Sequence, residues 1–197
     1  LQTAREQVPV VTLYHTPLDP ELPNVGLDQQ HVGELAARHL IEQGCRRILY
    51  IYNIDRRHDG HRKVLAEAGI EYLPELIWRG DIDQFDAAAG ESAVRSMIER
   101  GIRFDGVQAQ SDAEAVGAIN QLFRMGYSVP QQVKVIGVDD SPHCELSRVP
   151  LTSICQHYRE RAETAVAMLH RAIEGDSVTS VQHTPTLRMR DSTATAV

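Results

Sequence analysis

Three cysteines in 197 residues, Cys45, Cys144 and Cys155, are an odd number and include no C-x-x-C pair. That leaves neither a disulfide frame nor a cysteine zinc site, and it predicts reduced thiols in a cytoplasmic protein. An excess of basic charge is missing as well. Lys and Arg total 20 against 27 Asp and Glu, for a net charge of −7 and a pI near 5.7. A chain so charged does not by itself grip nucleic acid, which needs a basic face to release counterions. No apolar run approaches the length of a membrane span, and no charged-then-apolar leader precedes the first strand. The chain opens on Leu1 rather than Met and is expected to be a piece of a longer protein.

The motifs of catalysis are equally scarce. There is no G-x-x-x-x-G-K-[ST] loop, and no G-x-G-x-x-G follows a strand. "GESAV" (90–94) comes nearest to a nucleophile elbow, but it lacks the second glycine and falls mid-helix. His58 and His61 in "HDGH" have no third or fourth ligand nearby in sequence, so they are expected to be ordinary rim and helix polar residues, with no metal. His15, His143 and His157 are assigned structural or solvent roles. No catalytic residue, cofactor or metal is therefore expected, and the chain is not expected to be an enzyme.

What is present is ordinary globular composition, 42% hydrophobic and 24% charged, at a length that can bury a sizeable core. Strand and amphipathic helix alternate. "VPVVTLY" (8–14) is β-rich, and "PLDPELPN" (17–24) is a turn-rich loop. A helix from Asp28 to about 43 places Val32, Leu35, Ala36, His39 and Leu40 on one face, and Gly44 closes it. Strand "RILYIY" (47–52) precedes a helix over 57–68, and strand "ELIW" (75–78) precedes one over 83–100. "DGVQAQ" (105–110) leads into a helix over 112–125. "VKVIGV" (133–138) is the last strand of the repeat. A helix over 157–174 carries Ala162, Ala165, Val166, Leu169 and Ile173, and 181–190, broken by Pro185, is edge or crossover.

Such alternation predicts an α/β fold, a doubly wound parallel sheet whose ligands bind beyond the carboxyl ends of its strands. Three strand ends offer polar groups there: Asn53 to Arg57, Ser111 with Asp112, and the adjacent carboxylates Asp139 and Asp140. A magnesium phospho-acceptor site would put its acidic pair after the first strand, and here the pair follows the last.

Five stretches, taken in order, resemble the effector-binding region of the LacI/GalR family of bacterial transcriptional regulators. They are "HLIEQGCRRILYI", "RHDGHRKVLAEAGI" with Arg57 and Gly60 in its Arg-x-x-Gly helix start, "SDAEAVGAINQLFRMGYSVPQQVKVIGVDD", "PLTSICQHYRERAETAVAMLHRAIEG" and "TLRMRDST". Each is short, but together they span nearly the whole chain. The resemblance implies a periplasmic-binding-protein-like fold, two α/β subdomains joined by three crossovers with a small ligand in the cleft. Residues 1–28 and 156–180 would be part of an N-terminal subdomain, incomplete here, and 29–155 with 181–197 the C-terminal one. It also implies operator DNA bound through an absent N-terminal headpiece, a homodimer, no membrane partner and a cytoplasmic location.

The resemblance assigns ligand contacts as well. Asp139 matches the family aspartate that accepts hydrogen bonds from ligand hydroxyls, while Asp140 points away and holds the turn. Arg57 would supply forked donors to neighbouring oxygens, Ser111 a polar contact, and Gln156 the crossover glutamine that reaches the ligand. The alternatives are a surface salt bridge for Arg57, a hinge hydrogen bond for Gln156 and helix capping for Asp112. Where many relatives stack an aromatic on the sugar, this chain has Ile82, with Phe85 three residues on. The expected effector is a sugar, sugar phosphate or nucleoside. The competing reading is a periplasmic-type sugar-binding protein of the same two-lobed fold, against which "RMRDST" and "PLTSICQ" favour the regulator.

Overall fold

Strand and helix alternate in the computed structural model, which describes residues 8–14, 19–52, 54–79 and 86–194. The strands are β1 (Thr12–Leu13), β2 (Asn24–Leu27), β3 (Ile48–Ile51), β4 (Ile77–Trp78), β5 (Gly106–Gln108), β6 (Lys134–Asp139), β7 (Thr152–Cys155), β8 (Val181–His183) and β9 (Thr186–Arg188). The helices are α1 (Gln29–Glu42), α2 (Asp55–Glu67), α3 (Ala87–Glu99), α4 (Asp112–Arg124), α5 (His143–Leu146) and α6 (Tyr158–Ile173). Each long helix stops where the sequence offers a glycine. α1 ends just before Gly44, whose φ of 93° is costly for any residue with a Cβ.

The chain divides into two units, one of residues 1–29 and 156–185, the other of 30–155 and 186–197. In the smaller unit β1, β2 and β8 form a parallel sheet, with Thr12 opposite Asn24 and Val25 opposite Val181. Helix α6 packs on β1 and β2. The face it buries differs from the expected apolar stripe. Arg161 and Met168, seven residues apart and so on one side of the helix, are buried, while Val166 and Ile173 stand exposed. A three-stranded sheet offers too narrow a surface to cover the whole stripe. The boundary expected at residue 181 also moves. β8 stays in the small sheet, and the chain changes unit after Pro185, which has no N–H to give either ladder.

The larger unit holds the doubly wound sheet, in strand order β4-β3-β5-β6-β7-β9, parallel except for β9 against β7. Leu49, Ile51, Val107 and Val135 join Val94, Met97, Ile119 and Leu122 of α3 and α4 in one apolar core. Burying each such side chain contributes about 1.5–3 kcal/mol. The opposite face is more polar than the periodicity predicts. His58 and His61 are buried over the Tyr50 ring, with centroids 5.2 and 4.7 Å away, so they are not rim residues. His61 Nδ1 lies 2.8 Å from Gln108 Oε1, and Gln108 Nε2 donates to the Gly33 carbonyl at 3.2 Å.

Helices α1 and α2 meet backbone to backbone beside this cluster. A Cβ on Gly33 would fall 2.0 Å from the Arg57 carbonyl oxygen, and one on Gly60 would fall 2.1 Å from that of Gln30. That is why the helix start needs its Arg-x-x-Gly spacing. The glycines let α2 sit deep enough to bury Arg57 at the strand ends.

Candidate functional site

The carboxyl ends of β3, β5 and β6 bring together most of the polar groups that the sequence singles out. Arg57, in the first turn of α2, is 4% exposed, and its Nη1 donates to the Gln110 carbonyl at 2.7 Å. The N–H of Gln110 itself donates to Glu114 Oε2 at 2.8 Å. Ser111 is the N-cap of α4, its Oγ accepting from the Glu114 N–H at 3.2 Å. The Glu114 carboxylate also accepts from the Ser111 N–H, so Ser111 and Glu114 make a reciprocal capping box, S-x-x-E, and fix the end of β5 against the start of α4.

Glu114 is only 1% exposed. Burial pushes its carboxyl up to about 7, against the pull of the Gln110 and Ser111 N–H groups and of Arg57, and Asp139 adds to the rise. Arg57 and Asp139 are therefore both close enough to act on one buried carboxylate.

The double-aspartate turn is strained. Asp139 has φ 124° and Asp140 φ 55°, a conformation that residues with a Cβ seldom adopt. Three ties hold it. Asp140 N donates to Ser153 Oγ at 3.0 Å, and Ser141 N donates to Asp112 Oδ2 at 2.7 Å. The Asp140 carboxylate accepts from Arg190 Nη2 at 2.8 Å, with Arg188 Nε 3.7 Å away. Asp140 thus anchors the turn, while Asp139, half-buried, ends β6 opposite Cys155 of β7. Asp112 does not cap its helix. It is buried, accepting from Ser141, Ser153 Oγ at 2.6 Å and Cys144 Sγ at 3.2 Å.

Gln156 follows Cys155 and belongs to the smaller unit. It is buried, and its Nε2 donates to Tyr158 Oη at 2.8 Å, as a hinge residue's amide can. Ile82 and Phe85 lie outside the described residues. Among the described residues no group of three or more His, Cys, Asp and Glu could hold a metal ion. No helix among them is long and apolar enough to cross a membrane.

Residue spacing alone missed Glu114, Gln110, Arg190 and Arg161. Only Glu114 carried a clear signal, as the fourth residue of the S-x-x-E box.

Residues 37–193 match the family model of the periplasmic binding protein-like domain. The chain is 31% identical over 170 residues to the HTH-type transcriptional regulator CelR of Thermobifida fusca, covering 83% of this chain and 49% of that protein. It is 31% identical over 211 residues to the HTH-type transcriptional regulator GalR of Escherichia coli K12, covering 99% of this chain and 59% of that one. The chain belongs to the LacI/GalR family. Among solved members of that family, a CelR–cellobiose complex superposes with a TM-score of 0.83 at 30% identity, covering 92% of this chain and 58% of that one. This LacI/GalR chain therefore spans about half the length of the curated relatives it matches.

Proposed function

We propose that the chain is the effector-binding domain of a DNA-binding transcriptional regulator, sensing a sugar or related polyhydroxylated molecule. Arg57 and Asp139 are its principal contacts, with Ser111 and Gln156 completing the set and Ile82 and Phe85 as the apolar candidates. The observation that carries this reading is the buried Arg57 at the strand-end rim, with Asp139 held on a strained turn at the end of β6. A carboxylate accepts from vicinal hydroxyls, a guanidinium donates to their oxygens, and both act strongly where water is excluded. Operator DNA would be bound through a headpiece outside this chain, by a homodimer in the cytoplasm.

Binding without turnover is part of the proposal: among the described residues, the hydroxyl and thiol that stand against a carboxylate at the rim, Ser153 and Cys144 beside Asp112, are fully buried. Hydrolysis that follows the protein through purification and vanishes in Asp139→Asn would overturn it. A thermal-shift panel of mono- and disaccharides, cellobiose included, sugar phosphates and nucleosides tests the sensing role. At least one compound is expected to raise the melting temperature of the full-length protein and change its operator affinity. A panel without response at millimolar concentration counts against the reading.

A further inference from the structure

Arg161 is the least expected side chain of the smaller unit. It is 4% exposed, on the face of α6 that also carries Met168. Its Nε has no hydrogen-bond partner, and no carboxylate among the described residues pairs with it. Glu160 and Glu163 on its own helix are exposed, Glu160 standing 3.8 Å from His157, and Asp176 pairs with Arg171. A guanidinium out of water without a counter-charge is costly, because its hydration is lost and nothing replaces it. Such a group calls for an anion.

The surroundings favour one. The Arg161 guanidinium lies 5.7 Å from the ring centroid of Tyr158, the first residue of α6, so the side chain runs back toward the helix N-terminus, as helical side chains do. α6 is 16 residues long, and its N-cap, His157, sits in the left-handed region and makes no side-chain capping bond. The Glu160 carboxylate takes its own N–H in that turn, and the remaining first-turn N–H groups and the positive end of the helix dipole add to the same field. Gln156, tied to Tyr158 Oη, borders the same turn, and Tyr158 itself is exposed to solvent.

We propose that Arg161 and the first turn of α6 form an oxyanion subsite, taking the phosphoryl or carboxylate group of the small molecule that Gln156 contacts. This deepens the effector-binding reading and rests on it only for the identity of the molecule. The anion itself could equally be free phosphate, which carries the same chemistry.

Calorimetry and thermal melting of the 197-residue chain test the subsite, with inorganic phosphate, glucose and glucose 6-phosphate as probes against chloride at matched ionic strength. Phosphate is expected to bind and to raise the melting temperature. Arg161→Met should weaken it about tenfold or more, the scale of a lost charge-assisted hydrogen bond, and Arg161→Lys should restore part. Without phosphate the Met variant should melt above the parent, because an uncompensated buried charge has gone. Glucose 6-phosphate binding more tightly than phosphate places the oxyanion on the effector, and equal affinities make it a free anion; either keeps the subsite. A parent without phosphate response, a Met variant that responds equally, or one that melts lower without phosphate overturns it. Sugar binding lost in Arg57 or Asp139 variants leaves the phosphate response intact, so the two readings fail separately.

Discussion

Arg190 Nη2 donates to Asp140 Oδ1 at 2.8 Å, so a residue from the end of the chain holds the turn that presents Asp139. Its Nη1 also donates to the Leu151 carbonyl at 3.1 Å. The positive φ of both aspartates is sustained by such ties rather than by local preference. Arg190→Met should therefore destabilise the chain by about 1.5–3 kcal/mol, the range for hydrogen bonds to charged groups. Urea denaturation gives the value. An unchanged midpoint would mean that Ser153 and Asp112 hold the turn alone.

Glu114 should make stability fall toward alkaline pH. Its pKa is raised from 4.5 to about 7 by burial, so between those values the folded protein keeps a proton that the unfolded chain releases. The stabilising contribution is full below about 4.5 and lost as pH rises through 7, about 3 kcal/mol at most. Glu114→Gln can still accept from the Gln110 N–H, stays neutral, and should flatten that loss. Urea midpoints at several pH values for parent and variant check it.

His61 acts with the opposite sign. Burial lowers its pKa from 6.5 to about 4, Gln108 pulling it back up. The unfolded chain takes the proton first, so stability is lost as pH falls from about 6.5 toward 4. Gln108→Leu alone strands the buried His61 nitrogen and should cost about 1–3 kcal/mol, whereas His61→Phe with Gln108→Leu should cost far less and remove the share of the acid sensitivity that His61 contributes. A double-mutant cycle with pH titration decides.

These two buried groups mark where the sequence was legible and where it was not. Alternation of strand and helix, the glycine stops and the strand-end rim follow from periods of 2 and 3.6 residues, and Arg57, Ser111 and Asp139 fall at or just beyond the ends of β3, β5 and β6 as that order predicts. β2 and β7 escaped notice because each is four residues long beside a proline, Pro23 and Pro150, and turn chemistry hid them. The polar sheet face was illegible for another reason. Histidine and glutamine suggest solvent unless their partners are known, and the His61–Gln108 pair joins residues 47 apart in sequence. Arg161 was hidden in the same way, since a helical stripe tells which residues share a face but not which face is covered.

Leu146 is 82% exposed, on α5 just beyond the double-aspartate turn. An exposed apolar residue there suits the proposed homodimer, and its nearness to Asp139 in sequence offers a route from effector to interface. Leu146→Arg should shift the full-length protein toward monomer in sedimentation. Unchanged association would remove this face from the interface.

The most direct test of the central claim is calorimetric titration of the full-length protein, and of Arg57→Ala and Asp139→Asn, with the compound that most raises the parent's melting temperature in the panel. The account predicts that each variant folds and loses about 1.5–3 kcal/mol of binding free energy, the scale of a hydrogen bond to a charged group. Undiminished affinity in both variants would contradict it.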